Sequence, residues 1–467
     1  MPKNIKLKTE NFELNAITPL DGRYRSKTSQ IAEYTSEYGL IKLRIEIETK
    51  YLAALSDAGI IRKLTVKERE YLLSFAENLT SEQVELVKEI ERETRHDVKA
   101  VERALRKILV KTSMSDVIEM LHFGLTSWDI NDSAYTLQLK RATENAVLPK
   151  LEKILAELAV WAEKYKAVPM LARTHGQAAV PTTLGKEFAV FAVRLNKQIK
   201  ELKQQKLTGK LNGAVGNYNA LNLAYPNVDW IKFSEKFIKS LGLETNLYTT
   251  QINPYDDLAE YFQNYERINN ILIGFAQDIW RYVSDNWLVQ ANIKGEVGSS
   301  AMPQKVNPID FENAEGNLGM ANALLEFMAR KLPVSRLQRD LSDSTVLRNI
   351  GTVLGFSLVG YESLISGLLR IKPNLPEIEQ DLNRDWSILT EGVQTILRKA
   401  RVSDPYSLIA KLSRGKHIDQ KHWQTWIKSL PIEQKYKREL ERLTPSNYTG
   451  LAQKITEKAI REIRIKK

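Results

Sequence analysis

The chain has 467 residues, 43% of them hydrophobic and 27% charged, with 68 Lys and Arg against 57 Asp and Glu. That length exceeds the roughly 250 to 300 residues at which single cores stop growing, so more than one domain is expected, and the composition excludes wholesale disorder. Cysteine is absent, which excludes disulfides, thiolate nucleophiles and cysteine-ligated zinc or iron–sulfur sites and fits a reducing compartment.

Residues 1–20 mix Lys3, Lys6 and Lys8 with acids and lack the apolar core of a signal peptide. No run reaches the roughly 18 apolar residues that span a bilayer, so a cytoplasmic protein without membrane contact is expected. Asp21-Gly22-Arg23-Tyr24 is a turn signal followed by a cation and a phenol. From about residue 31 to residue 107 the spacing of Leu40, Ile41, Leu43, Ile47 and their successors predicts a small helical domain. Inside it, Arg95-His96-Asp97 crowds ionisable groups into one turn, where Asp97 can orient or charge His96. The character changes near residue 113, and Thr126-Ser127 with Asp129 reads as a helix start that welcomes an anion. Capping alone accounts for Ser127 and Asp129 as well as ligand binding does.

Leu148, Leu151, Ile154, Leu155, Leu158 and Trp161 recur at intervals of three and four, predicting a helix over 145–165, and a second is expected over 185–207. Between them, Arg173-Thr174-His175-Gly176 and the residues up to Thr182 read as a Pro-bounded loop that sets a histidine free to reach a ligand. Residues 211–219 form a second glycine-rich loop with neither dinucleotide-binding nor Walker A spacing. After Tyr248-Thr249-Thr250-Gln251, apolar positions from Leu258 to Trp287 predict a helix of about 45 Å at about 1.5 Å per residue, which favours helices shared across a subunit interface.

Then comes Gly298-Ser299-Ser300-Ala301-Met302-Pro303-Gln304-Lys305-Val306-Asn307-Pro308, a loop by its glycine and prolines. Its hydroxyls, ammonium and amide sit on a backbone able to converge N–H groups on an anion. A solvated linker would account for Gly-Ser-Ser, but it has no need of Met-Pro, Lys and Asn-Pro at set positions. Long helices are expected over 310–331 and 343–369. Between them Arg336, Arg339, Asp340, Asp343, Ser344 and Arg348 make a joint suited to phosphate or carboxylate, although Arg336 and Asp340 can pair with each other. Pro373 and Pro376 open a last segment of shorter helices that holds no recognisable chemistry. The five histidines, His96, His122, His175, His417 and His422, lack metal-binding spacing, so no metal is expected. The net charge of +11 suits polyanionic small substrates as well as nucleic acid, but basic residues interleaved with Glu read as solvated helix faces.

The run from Gly298 to Pro308 resembles the signature of the fumarase/aspartase superfamily, whose members eliminate fumarate from substituted succinates. With residues 94–102, 122–131, 173–181, 21–24 and 335–349, and with Ile309-Asp310-Phe311-Glu312-Asn313 after the signature, the chain is similar to the bacterial adenylosuccinate lyase family. The resemblance implies an all-α fold of three helical domains, 1–113, 114–373 and 374–467. Five long helices of the central domain would form a twenty-helix core in a homotetramer with active sites shared between subunits. The implied activity is β-elimination of fumarate from a succinylated purine nucleotide, adenylosuccinate, and from the succinylated aminoimidazole carboxamide ribotide, with no cofactor.

Such cleavage needs a base for the Cβ proton, stabilisation of an aci-carboxylate and an acid for the departing nitrogen. The resemblance makes Ser299 the base. A serine hydroxyl is too weak an acid to ionise unaided near neutrality, so the loop must close and bring Lys305 and backbone N–H groups to the site, with Asn307 on the same carboxylate. It makes His175 the acid, supported by His96. Arg23, Tyr24, Ser344 and Arg348 would take the 5′-phosphate, Thr126, Ser127, Gln251 and Asn313 the base and succinyl group, and Arg339 the anionic end. Arg95, Asp97 and Thr345 complete the implied substrate-binding set. Two departures from the family pattern, Arg95 and Gln304, leave affinity and local proton equilibria open. Argininosuccinate lyase, aspartase or fumarase would use the same Ser299, Lys305 and His175 and differ in needing no phosphate. A silent structural or RNA-binding relative would have no physical need of those three together.

Overall fold

The structure, a computed structural model, describes residues 12–291, 302, 304–415 and 417–464. It is all-α in class: helices dominate, and among the described residues strands occur only in three two-stranded sheets. The chain divides into two compact units, Met1–Leu151 with Ile199–Asn270 and Gly316–Glu362, and Glu152–Gln198 with Ile271–Glu315 and Ser363–Lys467. Every passage from one unit to the other falls inside one of five long helices: Leu148–Lys164, Leu184–Gln204, Asp256–Ser284, Ile309–Lys331 and Ile350–Arg370. The last differs from the single helix expected over 343–369. Ser342–Leu347 is a separate short helix, because the Asn349 N–H bonds back to the Val346 carbonyl at 3.0 Å and its side chain takes the Thr345 carbonyl at 3.0 Å. The stretch Ser342–Arg370 has the length and hydropathy to cross a membrane, yet 72% of its most apolar window is buried inside the protein.

In the first unit the helix Glu37–Asp57 starts where the Ser36 hydroxyl caps the Gly39 N–H at 3.1 Å. Capping boxes, Thr65 with Glu68 and Thr80 with Gln83, open Val66–Ser74 and Ser81–Thr94. These helices and Asp97–Leu109 close over Ile41, Ile45, Leu52, Leu72, Val87, Val101 and Leu105. Each such side chain, fully buried, contributes about 1.5–3 kcal/mol. A polar layer interrupts the apolar packing of the long helices. Asn269, buried, donates to Asn322 at 3.0 Å and accepts from the Tyr361 hydroxyl at 2.6 Å. Paired amides inside a bundle hold helix register, since slippage would strand them.

In the second unit Trp161 stacks on Phe188 at 4.7 Å, and Phe275 meets Phe188 and Phe191 edge to face. Near the carboxy terminus Leu382, Leu389, Val393, Leu397, Trp423 and Ile427 form a separate core, to which Leu171 adds its side chain. Leu171 belongs to a hairpin, Pro169–Thr174 with Gln177–Thr183, where the sequence reading expects a loop. Leu171 and Met170 are buried, so one side of the ribbon is anchored while its tip stays exposed.

Candidate active site

Eight of the expected residues meet in the first unit. Arg95, His96, Asp97, Ser127, Arg339, Ser344, Thr345 and Arg348 line a cavity of about 310 Å³ together with Glu91, Trp128, Asn131 and Leu341. The sequence builds each wall locally. Arg95 ends the helix Ser81–Thr94 in the left-handed conformation at φ 52°, which turns the chain sharply so that His96 can start the next helix. There the Nδ1 of His96 accepts the Lys99 N–H at 3.3 Å. That contact engages Nδ1 and leaves Nε2 for a ligand.

Asp97 is fixed from below. Its carboxylate accepts the Val98 N–H at 2.8 Å, Arg44 at 2.5 Å and Arg348 at 3.4 Å. Burial pushes this carboxyl up, but the Arg44 charge and the backbone bond outweigh it and hold it below its usual range. Arg44, fully buried, also donates to Asn131 at 2.8 Å and so ties two cavity walls together. Across the cavity Arg339 donates to Gln251 at 3.1 Å, and Gln251 donates to the Ala214 carbonyl at 3.1 Å. The Thr126 N–H donates to Asp129 at 2.9 Å. Asp129 is fully buried and also accepts Lys210 at 2.6 Å and the N–H groups of Asn212 and Gly213, so it pins the glycine-rich loop to the helix start. That settles Asp129 as a structural cap. Arg23 and Tyr24 do not line this cavity; their neighbours Asp21 and Arg25 border another, of about 400 Å³, to which Arg348 also contributes.

The remaining expected residues belong to the second unit. His175 and Gly176 form the two-residue connection of the hairpin, between the paired Thr174 and Gln177, with φ of 53° and 74°. Positive φ at both positions suits the twist of a tight hairpin and presents the exposed imidazole at its tip. Lys305 is exposed, its N–H bonded to the Met302 carbonyl at 3.0 Å, and Gln290 holds the Val306 carbonyl at 3.1 Å. Asn307 is half-buried, and Asn313 donates to Ser363 at 2.8 Å. Ser299 lies outside the described residues. Among the described residues no three His, Asp or Glu side chains gather as metal ligands.

A family model described as Lyase matches residues 22–322, and one described as Adenylosuccinate lyase C-terminal matches residues 335–449. The adenylosuccinate lyase of Haemophilus influenzae is 44% identical over 449 residues, 95% of this chain and 98% of its own. That of Buchnera aphidicola from Acyrthosiphon pisum is 45% identical over 450 residues, 96% of this chain and 99% of its own. The chain belongs to the adenylosuccinate lyase family. Its fold is shared more widely. A fumarate lyase from a Mesorhizobium species superposes with a TM-score of 0.75 at 17% identity, over 92% of this chain and 97% of that one. A 3-carboxy-cis,cis-muconate lactonizing enzyme from Pseudomonas putida gives 0.73 at 19% identity, over 93% and 97%. At such identities the likeness concerns the fold alone.

Several side chains of this adenylosuccinate lyase family member escape the sequence reading. Arg44 and Glu48 fall one turn apart on the same helix face as Ile41 and Leu52, and charged residues among buried apolar ones are a signal that was available. Glu48, fully buried, accepts from His122 Nδ1 at 2.6 Å. Burial pushes the His122 imidazole down, but the Glu48 charge and hydrogen bond outweigh it and raise it. Trp128 and Asn131 follow the Thr126-Ser127 start on the same helix, but nothing local shows that they face a cavity.

Proposed function

We propose that the protein cleaves adenylosuccinate to AMP and fumarate, and the succinylated aminoimidazole carboxamide ribotide in the same way. The observation that carries this reading is the cavity that gathers Arg95, Arg339 and Arg348 around His96 and Ser344, a cation-rich pocket for a multiply charged anion. Identity of 44% over 95% of the chain to a protein named for this reaction supports it. In this mechanism Ser299 takes the Cβ proton, and the electron pair is held as an aci-carboxylate beside Lys305 and Asn307. The C–N bond then breaks as the double bond of fumarate forms, and His175 gives its proton to the departing purine nitrogen. His96 steadies the acid. Arg23, Tyr24, Ser344 and Arg348 take the phosphate, while Thr126, Ser127, Gln251 and Asn313 hold the base and the succinyl group.

The same proposal includes a homotetramer with shared sites. On the helix Ile309–Lys331, Gly316, Gly319, Met320, Ala323 and Phe327 form an exposed stripe, with open space around both glycines. A stripe of small and apolar residues suits close packing against helices of other copies. The test is the ultraviolet absorbance change of adenylosuccinate with purified protein, beside argininosuccinate and with Ser299→Ala as control. Conversion that vanishes in the variant is expected. Reaction of argininosuccinate alone would remove the substrate, and normal kcat in Ser299→Ala would remove the base.

A further inference from the structure

The cavity wall in the first unit carries a ring that the proposed chemistry leaves unused. Trp128 is 1% exposed yet lines the cavity, directly after Thr126-Ser127. The guanidinium carbon of Arg339 lies 3.7 Å from the centre of its indole. At that distance an upright guanidinium would push a nitrogen inside van der Waals contact, so the group lies flat on the ring. The indole is itself braced, because its N–H donates to the hydroxyl of buried Tyr255 at 2.7 Å.

Arg339 is otherwise loosely paired. Its Nη1 donates to Gln251, its Nε is buried without an acceptor, and its nearest carboxylate, Asp343, is 3.9 Å away. Arg348, by comparison, shares Asp97 at 3.4 Å and is exposed. A cation kept flat by an aromatic face and not neutralised by a close carboxylate retains donors for a ligand and has little rotamer freedom left to lose on binding.

We propose that Trp128, braced by Tyr255, is a positioning residue that sets the plane of Arg339 for a carboxylate of the substrate's succinyl group. The inference rests on the function proposed above. A planar guanidinium meets a planar carboxylate best when the two planes coincide, so fixing the first plane selects the pose of the second. AMP has the purine and the phosphate but no succinyl group, and so it separates this role from general upkeep of the pocket.

The experiment uses the full-length enzyme and a double-mutant cycle of Trp128→Leu and Arg339→Lys, with Trp128→Phe and Tyr255→Phe as milder variants should the leucine not fold. Trp128→Leu is expected to raise KM for adenylosuccinate about thirtyfold, the size of a desolvated cation–π contact, with a smaller change in kcat. Trp128→Phe recovers most of the loss, and Tyr255→Phe shows part of it. Arg339→Lys adds little to Trp128→Leu, because the flat stack is already gone. The inhibition constant of AMP stays within about twofold throughout, since AMP lacks the group that Arg339 meets. Additive losses, or an AMP inhibition constant that rises in step with KM, would overturn the inference while wild-type turnover leaves the function standing. If the wild-type enzyme leaves adenylosuccinate untouched, the function falls and this inference with it.

Discussion

Asp132 shows how a single buried carboxyl couples the stability of the fold to pH. It is fully buried, its Oδ2 accepts the Lys210 N–H at 3.2 Å and its Oδ1 has no hydrogen-bond partner. Burial pushes the carboxyl up, the Lys210 charge pulls it down, Asp257 pushes it up again, and the outcome is about 8. Asp132 is therefore neutral near pH 7. An acid that holds its proton more tightly when folded makes the folded state bind more protons, so its contribution to stability is complete below the unfolded value of about 3.9 and declines as pH rises to about 8. Asp132→Asn keeps the acceptor for Lys210 without the charge. Thermal melts at pH 5, 6.5 and 8 should show the wild-type midpoint falling with pH and the variant's falling less; parallel slopes would mean that Asp132 is ionised in the fold.

At the scale of an element, the hairpin places His175 by backbone geometry. Asn tolerates positive φ, so His175→Asn should fold with an unchanged melting midpoint and, if His175 is the general acid proposed above, lose at least about a hundredfold in kcat. Gly176→Ala meets no neighbour within 4 Å, but its φ of 74° is strained for any side chain. It should lower stability by about 1–2 kcal/mol and reduce kcat through the displaced imidazole, with KM for adenylosuccinate little changed. An active, fully stable Gly176→Ala would show that the turn does not position the acid. The polar His-Gly pair was legible as a break between two helices. The strands beside it were not, since short pairing depends on partners such as Leu171 packing against a core formed some two hundred residues later in the chain.

For the whole molecule, the proposed sharing of active sites between subunits predicts complementation. Ser299→Ala and His175→Asn enzymes, each nearly inactive, should regain part of the wild-type kcat after subunits are dissociated and reassembled together, because some sites then receive neither mutation. Absence of recovery after exchange verified by native mass spectrometry would place Ser299 and His175 of each site on one chain. The sequence alone determined where long helices run, all but the start of the last, and the motif that marks the family, and through that resemblance the all-α class, because helical periodicity and a contiguous loop are local properties written within tens of residues. Only the tertiary structure decided which polar residues share a cavity. Arg44 under Asp97, Trp128 beneath Arg339 and Lys210 against Asp129 are contacts between segments far apart in the chain, and burial against those distant partners, not local pattern, fixes the orientation each one takes.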